Sequence, residues 1–87
     1  MSSKIEYKGK HAVLIMQGQK EKVPGWLGEI FLAVIQYGDK EHLLYDVIPD
    51  STNAADVDDL PQVQTFNDRG QAIAHFMNLE HNKRRWK

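Results

Sequence analysis

The sequence predicts an α+β domain: a small antiparallel sheet of about three to five strands, then one C-terminal amphipathic helix packed on one of its faces. Three observations carry that prediction. Segment 42–48 alternates, with Leu43, Tyr45 and Val47 on one side and His42, Leu44, Asp46 and Ile48 on the other, the period of a strand. Ala72, Ile73, Phe76 and Leu79 fall at helical spacing and form a single apolar stripe. Turn signals at Gly18, Pro24-Gly25 and Gly38-Asp39-Lys40 separate the runs that precede the helix.

The elements follow in order. Ile5 and Tyr7 alternate within 4–8, a short first strand before a turn at Gly9-Lys10. His11 to Gln17 is an apolar run closed by Gly18 and reads as a strand. Segment 19–28 reads as a loop. Segment 29–37 is rich in Ile, Phe, Val and Tyr and reads as a strand with Gly38-Asp39-Lys40 as its hairpin turn. The competing reading is a helix over 24–37 with Pro24 in its first turn and Gly38 as its stop. Gly25 and Gly28 would each cost such a helix ~1 kcal/mol, which favours the strand. Pro49 closes the strand over 42–48, because proline donates no ladder hydrogen bond. An acidic loop over 50–61 precedes a short edge strand over 62–66. Asn67 then caps a helix over 68–85, with Asp68 in the first turn and Lys83, Arg84 and Arg85 in the last, each placed to suit the helix dipole.

Composition sets the class. Apolar residues make up 41% and charged residues 26%, and the net charge of −1 is too small for a disordered chain. Eighty-seven residues predict one domain over 1–87, with 1–3 and 86–87 expected to fray. Cysteine is absent, so disulfides, thiol catalysis and zinc–thiolate or iron–sulfur sites are excluded. Residues 1–6 have no apolar leader segment, and the longest apolar run, Ile30 to Ile35, is far shorter than the ~20 residues of a membrane span. The expectation is a cytoplasmic protein without a membrane partner.

No motif commits the chain to a cofactor, a metal or a reaction. His11, His42, His75 and His81 form neither His-x-x-x-His nor His-Glu-x-x-His. Asp56-x-Asp58-Asp59 begins like a calcium loop, but Leu60, Pro61 and Asn67 stand where an oxygen ligand, glycine and glutamate are required. Gly25-x-x-Gly28 lacks the context of a phosphate loop, and no serine sits in a nucleophile elbow. The sequence therefore predicts neither an enzyme nor a cofactor.

Two patterns point to partners. Segments 12–16 and 30–35 are apolar at successive positions, hence apolar on both faces of a sheet that one helix covers on one side. Val13, Ile15, Phe31, Ala33 and Ile35 are the expected protein interface, with a second copy or another protein as cover. This predicts a non-catalytic, self-associating interaction module. The second pattern is charge: segments 1–28, 29–59 and 60–87 carry +3, −7 and +3. Lys83, Arg84, Arg85, Trp86 and Lys87 set cations around an aromatic, which suits a weak nucleic-acid contact. The same tail is equally placed to pair with the acidic 39–59 segment. A third reading is an enzyme subunit with a shared site at a strand end near His42, Asp46 or Asp50.

Overall fold

The protein is described by a computed structural model over residues 3–87, with the backbone alone at Ser3. Six strands form one antiparallel sheet: β1 (Ser3–Tyr7), β2 (Lys10–Gln17), β3 (Glu21–Lys22), β4 (Glu29–Gly38), β5 (Leu43–Ser51) and β6 (Gln64–Phe66). The order is β1-β2-β4-β5-β6, and β3 continues the β2 side of β4. One helix, α1 (Arg69–His81), packs on the sheet. This is the α+β architecture the sequence predicts, with segment 29–38 extended rather than coiled. The expected fraying at 1–3 lies outside the described residues at 1–2, while Ser3 opens β1.

Most boundaries move little, and each shift has a local cause. β5 runs through Pro49 to Ser51, because β6 pairs only with residues 45–47 of β5. Beyond Val47 that side of β5 is an edge, where a missing N–H costs no ladder bond. Asp68, not Asn67, caps α1, accepting the Gln71 N–H at 2.9 Å. The helix stops at His81 rather than continuing to 85; Asn82 breaks it and Lys83–Arg85 form a separate 3-10 turn. Gly38 takes a φ of +106°, and a side chain there would run into the His42 carbonyl. The Asp39 carboxylate accepts the Glu41 and His42 N–H groups and completes that turn.

The main core lies between sheet and helix. Leu32, Val34, Tyr45 and Val47 pack against Ala72 and Phe76. Truncating a buried aromatic such as Phe76 costs ~3–5 kcal/mol in lost contacts and cavity formation. A second cluster at the end of this side holds Val23, Trp26 and Ile30 against Leu60 and Trp86.

A bulge places two successive apolar residues of β2 on the helix side. Leu14 pairs with Ile35 and Met16 with Val34, so Ile15 is an extra residue. Cross-strand partners share a face. Leu14 therefore lies opposite the helix, Met16 lies on the helix side, and Ile15 joins Met16 against the main core.

Candidate functional site

The face opposite the helix carries the features that the core does not explain. It is lined by Ile5 and Tyr7 of β1, Ala12 and Leu14 of β2, odd-numbered residues 31–37 of β4, and Leu44, Asp46 and Ile48 of β5. The structure divides the expected interface residues between two faces. Val13 pairs with Gln36 on the helix side and Ile15 packs into the main core, so neither belongs to the open face. Phe31, Ala33 and Ile35 do share that face. Ile35 is nevertheless 8% exposed, packed in a cluster with Ala12, Tyr37, Ile5, Tyr7, Leu14, Leu44 and Ile48.

That cover comes from the chain itself, which corrects the expectation that nothing intrinsic shields this face. Lys8 and Gly9 both have positive φ, 53° and 74°, the signature of a tight two-residue hairpin turn that matches strand twist. The coiled β1–β2 hairpin brings the Tyr7 ring edge-on to Tyr37, 5.3 Å between centroids. Ile5, Tyr7 and Leu44 are half-buried at the hairpin end of the face. At the other end Phe31, Ala33, Leu14 and Ile48 are likewise partly exposed, with the Lys20 ammonium 5.4 Å from the centre of the Phe31 ring.

Asp46 sits where the hairpin closes over the sheet and is fully buried. Its Oδ2 accepts the Tyr7 hydroxyl at 2.5 Å, and its Oδ1 accepts the hydroxyls of Thr65 at 2.7 Å and Tyr37 at 3.1 Å. The Lys8 ammonium stands 3.4 Å from Oδ2. Burial presses this carboxyl toward its neutral form, but the hydroxyls of Tyr7, Thr65 and Tyr37, with Lys8, outweigh burial and hold it below the usual carboxylate range. The Tyr7 phenol is pushed the other way, well above the ordinary phenol range, by burial and then by the adjacent carboxylate. An ionised carboxylate saturated with donors is a poor base, and a phenol held protonated is a poor acid. The cluster fastens strands: Tyr7 lies on the β1 edge and Thr65 on the β6 edge, and both end on the same side chain. A charged residue between Leu44 and Ile48 on one apolar stripe is the signal in the sequence that marks this position.

The other residues proposed for chemistry do not converge. Asp50 is four positions from Asp46, about 13 Å along the strand. His42 is exposed in the β4–β5 turn. With His11 it borders a cleft of about 500 Å3 at the sheet end, lined also by Lys10, Asp39 and Leu44. The His75 ring lies beside Phe66, 5.3 Å between centroids, in the helix–sheet layer.

The basic tail folds back on its own chain. Lys83, 2% exposed, donates to the Gln19 carbonyl and to Glu80 Oε2, each at 2.8 Å. Arg84 pairs with Glu21 at 3.2 Å. Trp86 donates its indole N–H to the Leu79 carbonyl and meets Trp26 edge-on, so the expected fraying at 86–87 is replaced by docking. Lys87 bonds the Gly25 carbonyl, lies over the Trp26 ring at 5.0 Å and pairs with Asp59 at 3.2 Å. Of the five residues read as a nucleic-acid contact, Arg84, Arg85 and Lys87 remain exposed, Arg84 and Lys87 each with an acidic partner.

The acidic loop is likewise more ordered than its composition suggests. Asn53 caps a 3-10 turn over Ala54–Asp59, and Asp56 points inward. Its carboxylate accepts Ser51 Oγ at 2.6 Å, Gly28 N–H at 2.9 Å and Leu27 N–H at 3.0 Å. The Ser51 hydrogen bond first, then those backbone bonds, hold its carboxyl below the usual range. Asp56 is thus a structural ligand of the 27–28 backbone rather than half of a cation site.

No helix among the described residues is long and apolar enough to cross a membrane. Comparison of the chain with protein-family models, with curated proteins and with solved structures found no match.

Proposed function

We propose that this chain is a non-catalytic protein-interaction module, and that it self-associates through the Phe31 end of its helix-free sheet face. The observation that supports this is the strip of Phe31, Ala33, Leu14 and Ile48, partly exposed beside a buried Ile35. A binding role is favoured over catalysis because the Asp46 carboxylate is fully buried and engaged by three hydroxyls, out of reach of a substrate.

Magnitudes set the strength. Full burial of a large apolar side chain stabilises by ~1.5–3 kcal/mol, so three large groups and an alanine, each at most about a third exposed, contribute up to ~1.5–3 kcal/mol gross per copy, ~3–6 kcal/mol for two. Association costs at least ~4 kcal/mol in lost freedom. A millimolar contact needs about 4 kcal/mol net, so the strip alone supports a contact no tighter than the millimolar range.

Light scattering on the intact chain from ten micromolar to millimolar tests the reading. The wild-type mass rises above 10.0 kDa with concentration, and Phe31→Glu and Ile48→Glu each lower it. A mass fixed at 10.0 kDa across the range, or variants that assemble as well as wild type, overturns the proposal.

A further inference from the structure

Among the described residues, no strand pairs with the outer edge of β1. A two-residue hairpin loop is flanked by a hydrogen-bonded pair, here Tyr7 and Lys10. Backbone groups alternate in direction along a strand. Ser3, Ile5 and Tyr7 therefore address β2, while Lys4 and Glu6 direct their N–H and C=O groups outward. The edge carries no proline and no bulge, the usual means of blocking such a surface.

We propose that β1 pairs antiparallel with β1 of a second copy, about a two-fold axis at Ile5, joining two sheets edge to edge. In this register Lys4 of each chain lies opposite Glu6 of the other. These are the residues whose backbone groups point outward, so each Lys4–Glu6 pair is also a hydrogen-bonded pair. Four backbone hydrogen bonds and two opposite-charge pairs form together. On the other face Ile5, half-buried in one chain, meets its copy at the axis and extends the cluster that holds Ala12 and Leu14.

Neighbouring registers are disfavoured. A slip of two residues sets Lys4 against Lys4, or Glu6 against Glu6 and Lys4 against Lys8. A slip of one mismatches the outward backbone groups and places apolar against charged side chains. Charges on edge strands ordinarily repel a second strand. Here the sequence Lys4-Ile5-Glu6 is complementary to itself when reversed, which is what an isologous contact requires. This contact is separate from the Phe31–Ile48 strip and does not depend on it.

The test is a charge swap read by sedimentation in low salt. Lys4→Glu and Glu6→Lys each turn two attractions into two repulsions and weaken self-association about tenfold or more. The double variant Lys4→Glu/Glu6→Lys restores it to within about threefold. Glu6→Pro removes an outward N–H without breaking the β2 ladder and also weakens assembly. Circular dichroism confirms that each variant is folded. Amide exchange at Lys4 and Glu6 slows with rising protein concentration, in wild type and in Ile48→Glu alike. Single variants that assemble like wild type, a folded double variant that stays as weak as the singles, or exchange at Lys4 and Glu6 that ignores concentration each overturn the proposal.

Discussion

Replacing Tyr7 by phenylalanine deletes one oxygen from the Asp46 cluster and leaves the ring against Tyr37. The lost bond is 2.5 Å long and ends on a carboxylate that is fully buried. A hydrogen bond to a charged group contributes ~1.5–3 kcal/mol net. Thr65, Tyr37 and Lys8 remain on the carboxylate, and the half-buried Tyr7 position admits water, so the lower half of that range applies: ~1.5–2 kcal/mol. For a domain of this size that lowers Tm by ~6–16 °C. The loss also depends on pH in a defined direction. The folded-state pKa of Asp46 lies below its unfolded value, so its stabilisation is present above about pH 4 and drains away as pH falls through the folded-state value. Tyr7 behaves in the opposite sense: its raised pKa contributes stability below about pH 10 that is lost as pH rises further. Urea unfolding of wild type and Tyr7→Phe at neutral and acid pH measures both magnitudes. The gap between the two proteins is widest between those limits and narrows as Asp46 takes up its proton. A gap below ~0.5 kcal/mol at neutral pH, or one that persists unchanged after Asp46 is protonated, refutes the assignment.

Two further substitutions probe the elements that position the open face and the tail. Lys8 adopts a left-handed conformation that costs an ordinary residue ~1–2 kcal/mol, whereas its 3.4 Å pair with Asp46 is more than half exposed and worth ~0–1 kcal/mol. Lys8→Asn therefore stabilises the hairpin by ~0.5 kcal/mol, visible as a higher urea midpoint; a lower midpoint means the ion pair dominates. Glu80→Ala strands the buried Lys83 ammonium on the Gln19 carbonyl and the distant Glu21 carboxylate. Breaking a buried pair costs ~3–5 kcal/mol; because Glu80 is about a third exposed, the expected loss is ~2–3 kcal/mol by thermal unfolding.

Where a segment's periodicity was regular, the sequence was a good guide to it. β5 is extended where its alternation predicts, and Ala72, Phe76 and Leu79 of the predicted stripe pack into the core, although β5 is buried on both faces at 45–47. The tail's return to acidic partners was also legible, since Lys87 reaches Asp59 within the segment its charge called for. What stayed hidden depends on contacts between distant residues. The bulge at Ile15 changes which side of β2 faces the helix, and an unbroken apolar run gives no sign of where parity switches. Asp56 and Lys83 are buried although both are charged types, because each serves backbone groups far away in sequence. The self-cover of the open face follows from the twist of the β1–β2 hairpin and from the Tyr7–Asp46 bond across it. β3 is two charged residues long and carries no pattern of its own.

The most direct measurement is a dilution series of two-dimensional amide spectra, recorded in the Lys4→Glu background so that the β1 edge is silent. On going from millimolar to ten micromolar, shifts should concentrate on Leu14, Phe31, Ala33 and Ile48 and vanish when Ile48→Glu is added. Spectra that do not change with concentration, or changes gathered on the helix and its basic end instead, contradict the open sheet face as the binding surface.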